Sequence, residues 1–265
     1  MEHPAARARQ GADEDARPLV TRASSIPEGK ELAPPERPAM GRRGRPEGTH
    51  HNLREDILDA AEFQFATFGF AGTTLRDIAA RIDIAQGLIS YYFSSKQQLF
   101  EAVFLRRSTK IADARTAAVR ALRASDRRPT VDALVLAFLR PTFELRDTPG
   151  GRAFIHLQAR LHTEPPEISY ALRNDAYDAS TQEFIDALCV AMPALPRTDV
   201  YWRVTLMVGA YLYAFSDTHR LDQLAPGVCS TGDASEALRQ ISAFVTSGLT
   251  ATATPSAEEP PPGIF

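Results

Sequence analysis

The stretch Gln86-Gly87-Leu88-Ile89-Ser90-Tyr91-Tyr92 gathers an amide, a hydroxyl and two phenols with no charge among them. A primary amide can make two hydrogen bonds to one base edge, hydroxyls and phenols suit phosphate oxygens, and glycine lets a second surface approach closely. That is a chemistry of recognition. The groups that bond breaking needs are scattered: the sequence has no Gly-x-Ser-x-Gly, no His-Glu-x-x-His and no phosphate-loop signature. His50 and His51 fall in a Pro- and Arg-rich arm, and His156 and His162 lack carboxylates at ligand spacing on their own helix. Cys189 and Cys229 have neither metal-ligand nor disulfide-framework spacing and read as ordinary thiols. Neither an enzyme nor a cofactor is expected.

The elements that must position this stretch are helices. Ile57, Ala61, Phe65 and Phe68 recur at helical spacing over 52–68, and Gly69 follows as a stop. Thr74 is a good N-cap for a short second helix that turns Leu75, Ile78 and Ala79 inward. A third helix is expected over 85–93, and a fourth, capped by Ser94 or Ser95, over 96–124. Two helices joined by a three- or four-residue turn present the second to a major groove, with Ile78, Ile82, Ile84, Ile89 and Phe93 locking the pair. Beyond the break at 125–129, further helices are read at 130–146, 151–163, 166–192, 198–218 and 233–251, with Pro141 expected to kink or split the first. No period-two alternation argues for a sheet, so the fold class is all-α.

The chain of 265 residues, 44% hydrophobic and 24% charged, has the composition of an ordinary globular protein. A formal charge of -3 argues against indiscriminate coating of nucleic acid but leaves room for a local basic surface. No signal peptide and no membrane-spanning apolar run is read, which implies a cytoplasmic protein with no membrane partner. Residues 1–50, with Pro4, Pro18, Pro27, Pro34, Pro35, Pro38 and Pro46 and few large apolar side chains, are expected to be a disordered arm, and 252–265 a disordered tail.

The strings Ile57-Leu58-Asp59-Ala60-Ala61, Thr74-Leu75-Arg76-Asp77-Ile78-Ala79, Gln86 through Phe93 and Ser95-Lys96-Gln97-Gln98-Leu99 together resemble the TetR family of transcriptional regulators. The resemblance implies a helix-turn-helix DNA-binding domain over 51–111 and a helical ligand-binding and dimerisation domain over 112–251. It implies that Thr74 meets phosphate, that Gln86, Leu88 and Ser90 face bases with Gly87 allowing close approach, that Tyr91 and Tyr92 touch phosphate or sugar, and that Lys96 pairs with a phosphate. The sequence departs from the family twice. Asp83 stands where the turn usually has Gly, and Ala85 replaces a Ser or Thr cap, leaving Asp83 as a candidate cap. In the arm, Arg43-Gly44-Arg45-Pro46 resembles the core of an AT-hook, in which Arg43 and Arg45 would enter a narrow minor groove; it equally suits a solvated basic linker.

The partners that the resemblance implies are double-stranded operator DNA, a second copy of the chain, and a small-molecule effector that relieves repression. Helices 198–218 and 233–251 are the candidates for the dimer interface. Phe138, Phe154, Phe184, Trp202 and Tyr211, with His156, Arg160 and His162 as polar groups, are the candidate effector residues, although the same aromatics are what a helical core needs. The stretch 213–227 looks like a sub-branch with members that respond to fatty acids or acyl-CoA thioesters, so an apolar or acyl effector is expected. The alternative is a helical adaptor that binds protein and no DNA.

Overall fold

The computed structural model describes residues 53–254 apart from 126, 217, 218 and 231. The arm with Arg43 and Arg45, and the chain beyond Thr254, lie outside the described residues. Among those described there are eleven α-helices and no strands. They are α1 (Leu53–Gly72), α2 (Leu75–Arg81), α3 (Gln86–Tyr92), α4 (Lys96–Arg123), α5 (Val131–Phe143), α6 (Pro149–Leu161), α7 (Pro166–Arg173), α8 (Ala179–Ala191), α9 (Arg197–Phe215), α10 (Arg220–Leu224) and α11 (Ala234–Thr250).

Short polar side chains start several of these helices. Ser95, Thr130, Thr148 and Asp233 each accept a hydrogen bond from a backbone N–H of the first turn, satisfying donors that have no intrahelical partner. Pro141 falls in the last turn of α5, where a 3-10 turn over Glu144–Asp147 takes over. The single helix expected over 166–192 is instead α7, a π turn over Asn174–Asp178, and α8. A short α10 occupies what reads in sequence as loop. Residues 249–254 are fastened to α9: Arg203 donates to the carbonyls of Leu249, Ala251 and Thr252, and Asp199 accepts from the Thr254 N–H at 2.8 Å. Cys229 is exposed and Cys189 half-buried.

Two apolar cores form, and α4 threads both. Phe100, Val103, Phe104 and Ile111 join Ile57, Ala61, Phe65, Ile78 and Ile89 in the first, which is completed by Phe154, Leu157 and Leu161 of α6. Val119 joins Leu134, Phe138, Phe184, Leu188 and Phe215 in the second. The helix-turn-helix head therefore has no core that closes without α6. Phe68, expected to point inward, is 57% exposed, because the helix breaks at the next residue: Gly69 has φ 74°.

Polar contacts fasten α1 to the same two helices. The carboxylate of Glu62, 1% exposed, accepts from Nε and Nη2 of Arg107 and, at 3.2 Å, from Arg106. Arg106 also reaches Asp59 at 2.7 Å and Glu55 at 3.2 Å. At the far end of α1, Arg160 donates to the Thr67 carbonyl at 3.0 Å, and the Phe70 N–H donates to Glu164 at 2.9 Å. A side chain at position 69 would sit 3.2 Å from both Arg160 and Glu164, so glycine serves the close approach as well as the positive φ. Replacing Glu62 by Ala leaves the partly buried guanidinium of Arg107 without its carboxylate, while Arg106 keeps Asp59 and Glu55. We expect a loss of about 3 kcal/mol in chemical denaturation; a loss below about 1 kcal/mol would show that solvent replaces the carboxylate.

Candidate nucleic-acid interface and cavity

α3 is held by two inward side chains, Ile89 and Phe93, while Gln86, Gly87, Leu88, Ser90, Tyr91 and Tyr92 are all exposed. The turn before it is made by backbone bonds from Ile82 and Ile84 to the Ala79 carbonyl, at 3.3 and 3.1 Å. Asp83 takes the left-handed conformation, φ 54°, that glycine adopts without strain. Ala85 is the N-cap of α3 and no side chain caps that helix, so Asp83 does not substitute for the missing hydroxyl.

None of Gln86, Ser90, Tyr91 and Tyr92 has a hydrogen-bond partner among the described residues, and the two phenol rings pack edge to face at 5.2 Å. Tyr91 is 82% exposed. An added Cβ at Gly87 meets no protein atom within 4 Å, so nothing inside the molecule demands glycine there. Six adjacent positions thus offer one amide, three hydroxyls and an apolar contact with their bonding capacity unspent.

The other two expected contacts are spent on positioning. The Thr74 hydroxyl donates to Asp77 at 2.6 Å and accepts from the Asp77 N–H, while the Thr74 N–H donates to the same carboxylate, a reciprocal capping box. Those hydrogen bonds from Thr74 hold the Asp77 carboxyl below its usual range. The Lys96 ammonium donates to the carbonyls of Phe70 and Thr73, at 2.9 and 3.0 Å, and lies 4.3 Å from the Phe70 ring centre. It fastens the link between α1 and α2 to the start of α4, with one N–H left over.

A cavity of about 1090 Å³ lies between α4, α6, the π turn, α8 and α9. Of the residues expected in it, Phe138, Tyr211 and His162 line it. Phe154 and Phe184 are buried in the two cores, and Trp202 is 71% exposed on the outer side of α9. His156 and Arg160 line a separate cleft of about 970 Å³ between α1 and α6. The cavity instead holds Arg115, Gln158 and Tyr177, which sequence reasoning passed over. One signal was available. Phe104, Ser108, Ile111, Arg115 and Val119 are all buried at spacings of three or four, so Arg115 sits on the inward stripe of α4. His162 is held below its usual pKa by burial and by Arg173, which keeps it neutral near pH 7.

A short second helix of unspent polar groups, mounted by a tight turn on a three-helix head, defines a helix-turn-helix of DNA-binding regulators. Residues 57–103 match the family profile described as bacterial regulatory proteins, tetR family, and residues 136–248 match that of the tetracyclin repressor-like C-terminal domain. The chain belongs to the TetR family of transcriptional regulators. It is 43% identical over 75 residues to a helix-turn-helix transcriptional repressor of Mycobacterium tuberculosis strain H37Rv, covering 28% of this chain and 39% of that protein. It is 34% identical over 103 residues to the regulator BetI of Paraburkholderia xenovorans, covering 39% of this chain and 50% of that one. The chain therefore matches half or less of the length of these relatives. Among solved structures it shares its fold with a TetR-like regulator from Rhodococcus sp. RHA1 (18% identity, TM-score 0.53, 77% of this chain and 100% of that one). It also shares it with a transcriptional regulator from Saccharomonospora viridis in complex with choline (21% identity, TM-score 0.51, 73% and 95%).

Two substitutions separate reading from folding. Gly87→Ala should leave the melting temperature unchanged or slightly higher while weakening DNA binding about tenfold, the scale of one mismatched base pair; unchanged affinity in a binding titration would remove Gly87 from the contact surface. Asp83→Gly relieves the left-handed strain and should stabilise the protein by about 0.5–1 kcal/mol in thermal unfolding, whereas destabilisation would mean that the Asp83 side chain supports the turn.

Proposed function

We propose that the protein is a homodimeric repressor that reads a near-palindromic operator with α3 and releases it when a small molecule fills the cavity. The observation that carries the reading is the α3 face: exposed, close to uncharged, and without internal hydrogen bonds. An adaptor surface for a partner protein would more naturally present a contiguous apolar patch there. Thr74 and Lys96 serve this reading by fixing the angle at which α3 stands from α1. The proposed boundary between head and body near 111 falls inside the unbroken α4, so the head moves with the body's helices.

Dimerisation is supported by α9 and α11, which lie side by side. Trp202, Leu206 and Tyr213 share one face of α9 with Gly209, and Phe244 and Gly248 lie together on α11. The four large side chains are all more than half exposed, and added Cβ atoms at both glycines meet open space. A second copy would bury this strip and place two α3 helices in successive major grooves.

Release is supported by two helices that each touch both the cavity and α1. On α4, Arg115 lines the cavity and Arg106 and Arg107 hold Glu62. On α6, Gln158 lines the cavity and Arg160 holds the end of α1. A ligand that separates α6 from α9 would tilt α1 and with it the head; a 100-fold loss of operator affinity needs about 2.7 kcal/mol of such coupling. The rings of the cavity suit an apolar or acyl body, and the choline held by the Saccharomonospora protein shows that a molecule of this fold admits a small organic ligand.

Selection of bound fragments from genomic DNA at physiological salt tests the reading. Wild type should enrich one near-palindromic motif that folded Tyr92→Ala loses. No enriched motif with folded wild-type protein would overturn it in favour of the adaptor. In light scattering after gel filtration, Leu206→Arg with Phe244→Arg should halve the mass of the wild-type species; an unchanged dimer mass would place the interface elsewhere.

A further inference from the structure

We propose that the cavity takes an organic acid whose carboxylate pairs with Arg115 while its apolar remainder lies along α8 and α9; this rests on the ligand-gated reading above. Arg115 is 1% exposed and lines the cavity. Its Nε donates to the Phe138 carbonyl at 2.9 Å, and its Nη2 to the Thr142 hydroxyl at 3.0 Å and the Tyr211 hydroxyl at 3.4 Å. Its Nη1 has no acceptor and its charge no carboxylate within 4 Å among the described residues. A guanidinium withdrawn from water normally keeps an anion beside it.

The surroundings soften that charge without neutralising it. The guanidinium carbon lies 3.7 Å from the centre of the Phe138 ring, 5.5 Å from Tyr177 and 5.7 Å from Tyr211, so three rings face the cation. Neither ring contact nor carbonyl supplies a negative charge. Tyr177 cannot supply one either, since burial and the neighbouring Tyr211 push its phenol up and keep it protonated. The aromatic cluster that would otherwise cradle a ligand ammonium is already filled by the protein's own cation, which repels a second one.

A second polar anchor stands beside the first. Gln158, 2% exposed, donates from Nε2 to the Tyr177 hydroxyl at 2.8 Å and to the Tyr211 hydroxyl at 3.4 Å, and its Oε1 has no donor. Because the Tyr211 hydroxyl touches both Arg115 and Gln158, the two anchors lie side by side. Ile185, Val204, Val208 and Leu212 give the wall an apolar strip along α8 and α9, while His162, Arg173, Asn174, Asp178, Thr181 and Gln182 add polar groups elsewhere on it. A cavity of about 1090 Å³ that sets the Arg115 guanidinium beside an apolar strip fits a carboxylate with a chain or ring behind it. A donor on the ligand near that carboxylate would satisfy Gln158 as well.

The test is calorimetric titration and thermal shift on the full chain with matched sets: octanoate, dodecanoate, 3-phenylpropionate and 4-hydroxyphenylacetate, each beside its alcohol, amide and trimethylammonium analogue. The carboxylate should bind about 100-fold tighter than its alcohol, the scale of a charge-assisted hydrogen-bonded pair. Arg115→Met should abolish that preference while leaving the weak binding of the alcohol. The wild-type comparison of acid with amide and alcohol stands without the variant, should Arg115→Met fail to fold. Amides, alcohols or trimethylammonium compounds binding as tightly as the acids would overturn the acid while leaving ligand gating intact, and so would a preference that survives in folded Arg115→Met. Silence of every set, acids and neutrals and cations alike, would overturn both this inference and ligand gating.

Discussion

The carboxylate of Glu62, buried between Arg106 and Arg107, fixes where α1 can lie, and everything that follows α1 in the head is built on it. A carboxylate taken out of water tolerates little displacement from its two guanidiniums, because each ångström of separation weakens the attraction that offsets desolvation. Arg160 and Glu164 impose the same discipline on the other end of α1. Lys96 then ties the α1–α2 link to α4, and the Thr74–Asp77 capping box sets the direction of α2. α3 follows with only Ile89 and Phe93 to seat it. The polar bonding of the head is concentrated behind the exposed face of α3, which leaves that face free.

This arrangement also explains why the head cannot be treated as an independent module. Its core closes on Phe154, Leu157 and Leu161, all of α6, and α4 runs unbroken from the head into the body. In the proposed release, a change of spacing at the cavity would reach α3 through packed helices rather than through a flexible joint.

Much of the head was legible in the sequence because its signals are local. Gly69, Thr74, Ser95 and the inward Ile78, Ile89 and Phe93 each act within a turn or two of their own position, and helical spacing alone places them. Phe68 escaped because its orientation depends on the break at Gly69. The cavity was far less legible. Whether Trp202 or Tyr211 faces inward depends on how α9 is rotated against α8 and α11, which no single helix records. His156 and Arg160 are one turn apart on α6, as their spacing requires, but that turn faces α1 rather than α9. Arg115 was less legible because an arginine on an apolar stripe reads as an exception to the pattern, whereas here it is buried and lines the cavity. Thr74 and Lys96 show a subtler limit, since the residue types that bond phosphate also bond a carboxylate or a carbonyl nearby.

Site-specific photo-cross-linking to double-stranded DNA tests the central claim most directly. A benzoylphenylalanine would be placed in turn at Leu88 on α3, at Tyr170 on α7 and at Trp202 on α9, all exposed positions. The account predicts covalent protein–DNA adducts from position 88 that disappear at high salt, and none from positions 170 and 202. Adducts from 170 or 202 with none from 88 would contradict it, because DNA would then lie against the body and not against α3.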